Sequence, residues 1–127
     1  MKVLIVALPQ KISKNQFEPL ELAPMAIYLL ASILMKNKHE VSIIDPCEFI
    51  QYEHKGDIEE LCAQYIMKKI SSKDIQLIAF SVNSFNWSNT KVIIQRIADN
   101  FPDVKIALGG LHPSIFDKHV LESSDAI

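Results

Sequence analysis

The sequence predicts an α/β domain of the doubly wound kind, with an open parallel sheet and helices on both of its faces. Four short apolar runs rich in Val and Ile predict the strands, because near-continuous runs of this length are typical of strands buried on both faces. The runs are Val3–Leu8, Val41–Ile44, Ile75–Val82 and Val104–Leu108. Segments of helical period alternate with them, which implies parallel strands joined by right-handed crossovers. We expect the strand order 2-1-3-4.

The helices are predicted from apolar spacing and from the residues at their ends. Pro24 fits a first helical turn, where its missing N–H costs nothing, and Asp57 with Glu60 has the form of a capping box. Pro102 stops the third helix. The four predicted helices span about Pro24–Asn37, Asp57–Lys69, Ser88–Asn100 and Ser114–Leu121. The face of the first helix predicted to be buried consists of Ala26, Leu30, Ile33 and Leu34.

Two connections are longer than the 2–6 residues that are usual in such folds. They span Pro9–Ala23 and Pro46–Gly56, and both leave the carboxyl edge of the predicted sheet. Loops of this length on that edge often line a ligand crevice. A simple surface excursion is the other interpretation of the first loop.

Length and composition favour one domain over residues 1–127 and exclude several classes of protein. No apolar run approaches the roughly 18–20 residues of a membrane span, and no signal peptide is visible, so we expect a cytoplasmic protein without a membrane partner. The net charge is −2 and the chain has no basic stripe, which disfavours nucleic-acid binding. The final residues, Asp125-Ala126-Ile127, resemble the opening of a fifth strand, so we expect a fragment or a rudimentary last strand.

Ligands of open α/β sheets bind outside the carboxyl ends of the strands, so the candidate site residues are those that end the predicted strands. The paired glycines permit either close approach of a ligand to the backbone or a tight turn. The serines could bind a ligand or cap the local turn. The candidates are Pro9 and Gln10 after the first strand, Ser81, Asn83 and Ser84 after the third, and Gly109, Gly110, Leu111 and His112 after the fourth.

Common catalytic and nucleotide-binding motifs are missing from the sequence. It contains neither a phosphate loop nor a dinucleotide fingerprint, and no nucleophile elbow. The positions at which a phospho-receiver carries acidic residues hold Pro9, Gln10 and Ser81. The four histidines are scattered, and His112 and His119, seven apart, make a poor metal pair. We therefore expect no catalytic residue and no metal ligand in this chain.

Several stretches resemble the N-terminal cobalamin-binding domain of cobalamin-dependent radical S-adenosylmethionine (SAM) enzymes. The most specific stretch is Gly109-Gly110-Leu111-His112-Pro113-Ser114, which matches a G-G-x-H-P-[ST] motif. Further resemblance lies in Leu22-Ala23-Pro24, Ile78-Ala79-Phe80-Ser81 and Lys38-His39-Glu40-Val41, where Lys38 replaces the family's usual glycine.

The resemblance implies a Rossmann-like, flavodoxin-type sheet with a corrin ring over its carboxyl edge and the nucleotide tail of cobalamin threaded into the domain. By position, Gly109 and Gly110 would flank the tail, and Ser81 with Asn83 or Ser84 would contact it. Phe85 and Trp87 could pack against the corrin or enter the core. Residues 9–23 contain no histidine, so the chain lacks the D-x-H-x-x-G ligand to cobalt that better-studied cobalamin domains carry.

The sequence therefore indicates a cobalamin-binding domain detached from a larger radical enzyme, and not a catalyst on its own. S-adenosylmethionine and an iron–sulfur cluster would belong to the rest of that enzyme, because a C-x-x-x-C-x-x-C motif is missing here. We expect that enzyme to be a methyltransferase or an enzyme that modifies a ring or a carbon skeleton. Two other hypotheses stay open. The same fold could serve as an interaction domain without cofactor, or it could bind a mononucleotide as flavodoxins do, although Pro9–Lys14 lacks their phosphate cradle.

Overall fold

The computed structural model describes residues 1–18 and 25–127. Its central sheet has four parallel strands in the order β4-β1-β5-β6, which confirms the predicted order and the flavodoxin-like fold class. The strands are β1 (Lys2–Ala7), β4 (Glu40–Ile44), β5 (Leu77–Ser81) and β6 (Lys105–Gly109). A separate antiparallel pair, β2 (Lys11–Ser13) and β3 (Gln16–Phe17), lies within the first long connection.

In the described ranges, five helices accompany these strands: α1 (Met25–Lys36), α2 (Ile58–Lys73), α3 (Trp87–Asn100), α4 (Leu111–Ile115) and α5 (Asp117–Glu122). A 3-10 helix, Pro46–Tyr52, occupies most of the second long connection. No helix in the described ranges is both long enough and apolar enough to cross a membrane. The predicted helix start at Pro24 and the Leu22-Ala23-Pro24 stretch lie outside the described residues.

The two faces of the sheet are covered differently. On one face, Leu4 and Val6 of β1 join the large core cluster that α2 and α3 complete. On the other face, Val3, Ile5 and Ala7 pack against α1. Because α1 contacts β4 and β1, the described part of the chain leaves the α1-side face of β5 and β6 open.

The prediction for the buried face of α1 was wrong. Ile27 and Ala31 are the buried residues of this helix, whereas Ala26, Leu30 and Ile33 are exposed and Leu34 is partly buried. Apolar residues occur on every side of α1, so its sequence has no polar face to show which side meets the sheet.

Several predicted ends needed correction. The helix α2 continues past Lys69 to Lys73 and stops where Asp74 adopts left-handed geometry, with φ of 54°. Asp57 caps α2 as expected, accepting from the N–H groups of Glu59 and Glu60. The reciprocal capping box forms elsewhere, between Asp45 and Glu48, where it opens the 3-10 helix. The extension of α2 and the positions of these caps depend on local backbone geometry, which the spacing of apolar residues does not predict.

The predicted helix Ser114–Leu121 is in fact two helices, because α4 ends at Ile115 and α5 begins at Asp117. Pro113 does not precede α4 but lies within its first turn. The N–H groups of a first turn have no acceptor within the helix, so proline loses no hydrogen bond there. The residues Asp125-Ala126-Ile127 form a turn rather than the start of a strand, and Ala126 and Ile127 pack on the core.

The two long connections hold each other beside α2. The backbone N–H of His54 donates to the carbonyl of Asn15 at 2.7 Å, and that of Ile58 donates to Lys14 at 3.0 Å. The side chain of Glu53 accepts from the N–H of Phe17 at 3.0 Å, and Phe17 is buried in the large core. The described part of the first connection is therefore held by hydrogen bonds and core packing, which argues against a simple surface excursion.

Candidate functional site

A groove of about 300 Å³ lies on the open face of β5 and β6, between the sheet and α1. Its described residues are mainly apolar, and none of them is charged. The lining consists of Ile5, Ala26, Ile27, Leu30, Ala79, Phe80, Ser81, Ala107, Leu108, Gly109 and Gly110. A larger depression of about 550 Å³ lies beside α2, but none of the residues that end β1, β5 or β6 line it.

Small side chains in two neighbouring rungs of the sheet create the groove. In one rung, Ile5 of β1 pairs with Ala79 of β5, which pairs with Ala107 of β6. In the next rung towards the carboxyl edge, Ala7 pairs with Ser81 and Ser81 with Gly109. Alternate residues of a strand point to the same face, so five small residues share this face and leave room above the sheet. The register therefore explains why Ala79, Ser81, Ala107 and Gly109 line the groove.

The two adjacent glycines have different surroundings. A Cβ on Gly110 would lie 2.5 Å from the carbonyl oxygen of Val82, and its φ of 107° is unfavourable for any side chain. A Cβ on Gly109 would meet no heavy atom within 4 Å. Of the two interpretations that the sequence leaves open, the tight turn therefore fits Gly110, and free space for a ligand fits Gly109.

Ser81 is the polar side chain of the groove. It is the last residue of β5 and is partly buried. Within the described ranges its hydroxyl makes no hydrogen bond to protein, so it is free to bond a ligand.

Asn83 does not point to the groove but builds the turn after β5. Its Oδ1 accepts from the N–H groups of Phe85 and Asn86 at 2.9 and 3.0 Å, and its own N–H donates to Asn86 Oδ1 at 2.9 Å. Asn86, which sequence reasoning missed, is buried and donates through Nδ2 to the carbonyl of Leu8 at 3.0 Å. The Asn-x-x-Asn spacing after a strand was the available signal, since such side chains bond nearby backbone.

Ser84 and His112 contact each other rather than the groove. Ser84 Oγ lies 3.0 Å from His112 Nδ1. The imidazole stacks on Trp87 with ring centroids 5.2 Å apart, and Phe116 lies at 5.0 Å. His112 is 8% exposed, and its Nε2 is buried without a partner among the described residues. This side chain therefore ties α4 to the start of α3.

The remaining candidates lie around the groove without lining it. Pro9 is buried directly after β1, and the carbonyl of Gln10 accepts from the N–H of Glu18 at 2.8 Å. Leu111 is 65% exposed in the first turn of α4, and Phe85 is 71% exposed beside the carboxyl edge. Trp87, by contrast, packs on the core. The nine predicted site residues thus divide into three that line the groove, Ser81, Gly109 and Gly110, and six that do not.

A polar cluster lies at the end of β4. The hydroxyl of Tyr28 donates to Asp45 Oδ2 at 2.5 Å, and the N–H of Cys47 donates to Asp45 Oδ1 at 2.8 Å. Burial raises the pKa of Asp45, but the hydrogen bonds from Tyr28 and Cys47 outweigh burial and hold that pKa below its ordinary value. The same contact raises the pKa of Tyr28. Over the described ranges, no three His, Cys, Asp or Glu side chains are grouped as metal ligands.

The chain was compared with models of known protein families. A family model described as "B12 binding domain" matches residues 19–127, which is most of the chain. No curated protein and no solved structure gives a significant match.

Proposed function

The chain belongs to the B12-binding domain family, and from this premise we propose that it binds cobalamin over the carboxyl edge of its sheet, with the nucleotide tail in the groove. Cobalamin, when bound, supplies methyl-transfer or radical chemistry, whereas the protein positions and shields it. The chain contributes the small residues of two sheet rungs, the free space at Gly109 and the hydroxyl of Ser81. Leu111 and Phe85 offer exposed apolar surface at the same edge.

The observation that supports this proposal best is the groove at Gly109. The planar base of the nucleotide tail needs an apolar surface without protruding side chains. Ala79, Ala107 and Gly109 leave such a surface in the groove. The family match includes all three residues. Neither Gln10 nor Asn83 is required in this proposal, because neither residue lines the groove and the side-chain oxygen of Asn83 serves the turn after β5.

We further propose that residues 1–127 form the cobalamin-binding domain of a radical SAM protein. The support is the resemblance of Gly109-Gly110-Leu111-His112-Pro113-Ser114 to the motif of that group. S-adenosylmethionine and an iron–sulfur cluster would then be held by a partner domain of the same protein, and methyl transfer is the reaction class that we favour.

The test is to mix the chain with hydroxocobalamin, separate the mixture by gel filtration and record the visible absorption spectrum of the protein fraction. We expect cobalamin to co-elute with the wild type at close to one equivalent. Gly109→Leu should remove most of it, because the leucine side chain would enter the free space at Gly109. Ser71→Leu, at an exposed position of α2 outside the groove, is the matched control and should bind as the wild type does.

A folded wild type that retains no cobalamin would contradict the proposal. It would favour the interaction domain without cofactor. Co-elution that is equal in Gly109→Leu and in the wild type would place cobalamin elsewhere on the chain.

A further inference from the structure

We propose that the groove selects its ligand by the base at the end of the nucleotide tail, favouring an apolar benzimidazole over a purine. Corrinoids with a complete tail, the cobamides, differ in this base. The inference rests on the proposed function, since it concerns which cobamide the groove holds.

The side chains around the groove offer almost no hydrogen-bonding partners. Ile5, Ile27 and Leu30 form its apolar wall, and Ala79 and Ala107 form its floor. The hydroxyl of Ser81 is the single side-chain polar group among the described lining residues.

The backbone carbonyls at the rim of the groove form hydrogen bonds within the protein. The ladders from β1 to β5 and from β5 to β6 pair the floor residues. At the rim, the carbonyl of Gly109 accepts from the N–H of Val82 at 2.8 Å. The carbonyl of Gly110 accepts from the N–H of Ser114 at 3.3 Å and from its Oγ at 2.7 Å. These two carbonyls are therefore engaged within the protein, and Ser81 supplies the single side-chain polar group among the described lining residues.

These surroundings discriminate between the two types of base. A dimethylbenzimidazole presents methyl groups and an apolar ring, which the alanine floor and the Leu30 side chain can cover. An adenine carries an amino group and additional ring nitrogens, and a single hydroxyl cannot satisfy all of them. Polar groups that are buried without partners weaken binding.

The experiment compares three ligands with the wild-type chain by absorption titration: cobalamin, a cobamide that carries adenine, and cobinamide, which lacks the nucleotide. We expect cobalamin to bind at least about tenfold more tightly than the adenine cobamide, the effect of about one buried unsatisfied polar group. Cobinamide should bind more weakly than cobalamin, because nothing would occupy the groove.

Two variants of one floor residue test whether the groove causes the preference. Ala107→Ser adds a hydroxyl, and we expect it to narrow the ratio of the two cobamide affinities by at least about threefold. Ala107→Cys adds a group of similar size that bonds only weakly, so it should leave the ratio close to that of the wild type. Since the ligands are the same in every titration, their own solution equilibria cancel in this comparison.

The outcomes separate this inference from the proposed function. Cobinamide binding as tightly as cobalamin, equal affinity for the two cobamides, or an unchanged ratio in Ala107→Ser would overturn the inference and leave cobalamin binding intact. If the folded wild type binds none of the three ligands, the proposed function fails, and this inference fails with it.

Discussion

At the end of β6, Gly109 and Gly110 differ in what a side chain would meet. Gly110→Ala should destabilise the chain by about 1–3 kcal/mol, because alanine is strained at positive φ and its Cβ would press on the Val82 carbonyl. Gly109→Ala should change stability by less than about 1 kcal/mol. Urea unfolding of both variants without ligand measures the difference.

Equal unfolding of the two glycine variants would contradict this division of roles. The structure also limits what Gly110→Val can reveal about binding. A valine there would disturb the backbone first, so lost cobalamin binding in that variant would not locate the ligand. The Gly109 variants are the ones that report on the groove.

The histidines lead to a spectroscopic prediction. If cobalamin binds, the reduced Co(II) form should show an electron paramagnetic resonance spectrum without nitrogen splitting from a protein histidine. Residues 9–23 contain none, and His112 is held by Ser84 and buried between Trp87 and Phe116. His112→Ala should leave the spectrum unchanged. Nitrogen splitting that disappears in His112→Ala would show that His112 has moved onto the cobalt.

Residue types alone predicted three of the residues that line the groove. Ser81 and the glycine pair end predicted strands, and strand ends are where ligands of this fold class bind. Ala79 and Ala107 were not predicted, because an alanine inside an apolar run gives no sign of which face it occupies. Their role depends on the register between β5 and β6, which single-strand patterns do not contain.

Between elements, Asn86 joins the turn before α3 to the end of β1. Asn86→Ala should lower the free energy of unfolding by about 1–3 kcal/mol, since it leaves the buried carbonyl of Leu8 without its donor. Asn100→Ala, at an exposed position of the same helix where the side chain bonds the carbonyl of Arg96, is the control and should cost less than about 1 kcal/mol. Thermal and urea unfolding should agree, and similar losses in both variants would remove this role from Asn86.

The contact between α2 and the 3-10 helix predicts how stability changes with pH. Partial burial and a hydrogen bond of 2.7 Å to Glu48 raise the pKa of Tyr65 to about 12, and burial raises that of Cys62 to about 12. Folding favours the neutral form of both groups. Their contribution to the free energy of unfolding is therefore complete below the ordinary pKa values, 9.0 for Cys62 and 10.0 for Tyr65, and is lost as pH rises towards about 12.

The midpoint temperature of thermal unfolding, measured from pH 8 to pH 11, should therefore decrease above about pH 9. Tyr65→Phe removes one of the groups with a raised pKa and should make this decrease in stability shallower, although the variant loses its bond to Glu48. A profile of the same steepness in Tyr65→Phe would show that Tyr65 does not contribute.

The presence of the helices was easier to predict from the sequence than their buried sides or their ends. In α3, apolar residues spaced by four coincide with the buried side of the helix, which includes Ile93 and Ile97. The α1 sequence is apolar all round, so only contact with β1 and β4 settles its buried face. The break at Phe116 between α4 and α5 was equally hidden, because no proline or glycine marks it.

For the whole molecule, strand order followed from the alternation of elements, because crossover connections permit few arrangements. The antiparallel pair inside the first connection was not predicted, since β2 and β3 are too short to give a pattern. The sequence also did not predict that the two faces of the sheet at the groove are covered differently. This difference arises because the two long connections gather beside α2, while α1 leaves the opposite face of β5 and β6 open.

Ligand binding should stabilise the molecule as a whole. Cobalamin at about one hundred times its Kd should raise the free energy of unfolding by about 2.7 kcal/mol, as linkage requires for a ligand that binds the folded state alone. Urea titrations with and without cobalamin measure this increase. Gly109→Leu should show no increase at the same concentration, and an undiminished increase in that variant would argue against the groove.

The bonds between the two long connections also constrain how the chain can change in evolution. His54, Glu53 and Ile58 complete hydrogen bonds that begin in residues 14–17, and Phe17 fills space in the large core. A deletion in one connection would leave the other with unpaired backbone groups and a hole beneath it. Relatives that shorten either segment should therefore carry a compensating change in the other, so that the two lengths vary together.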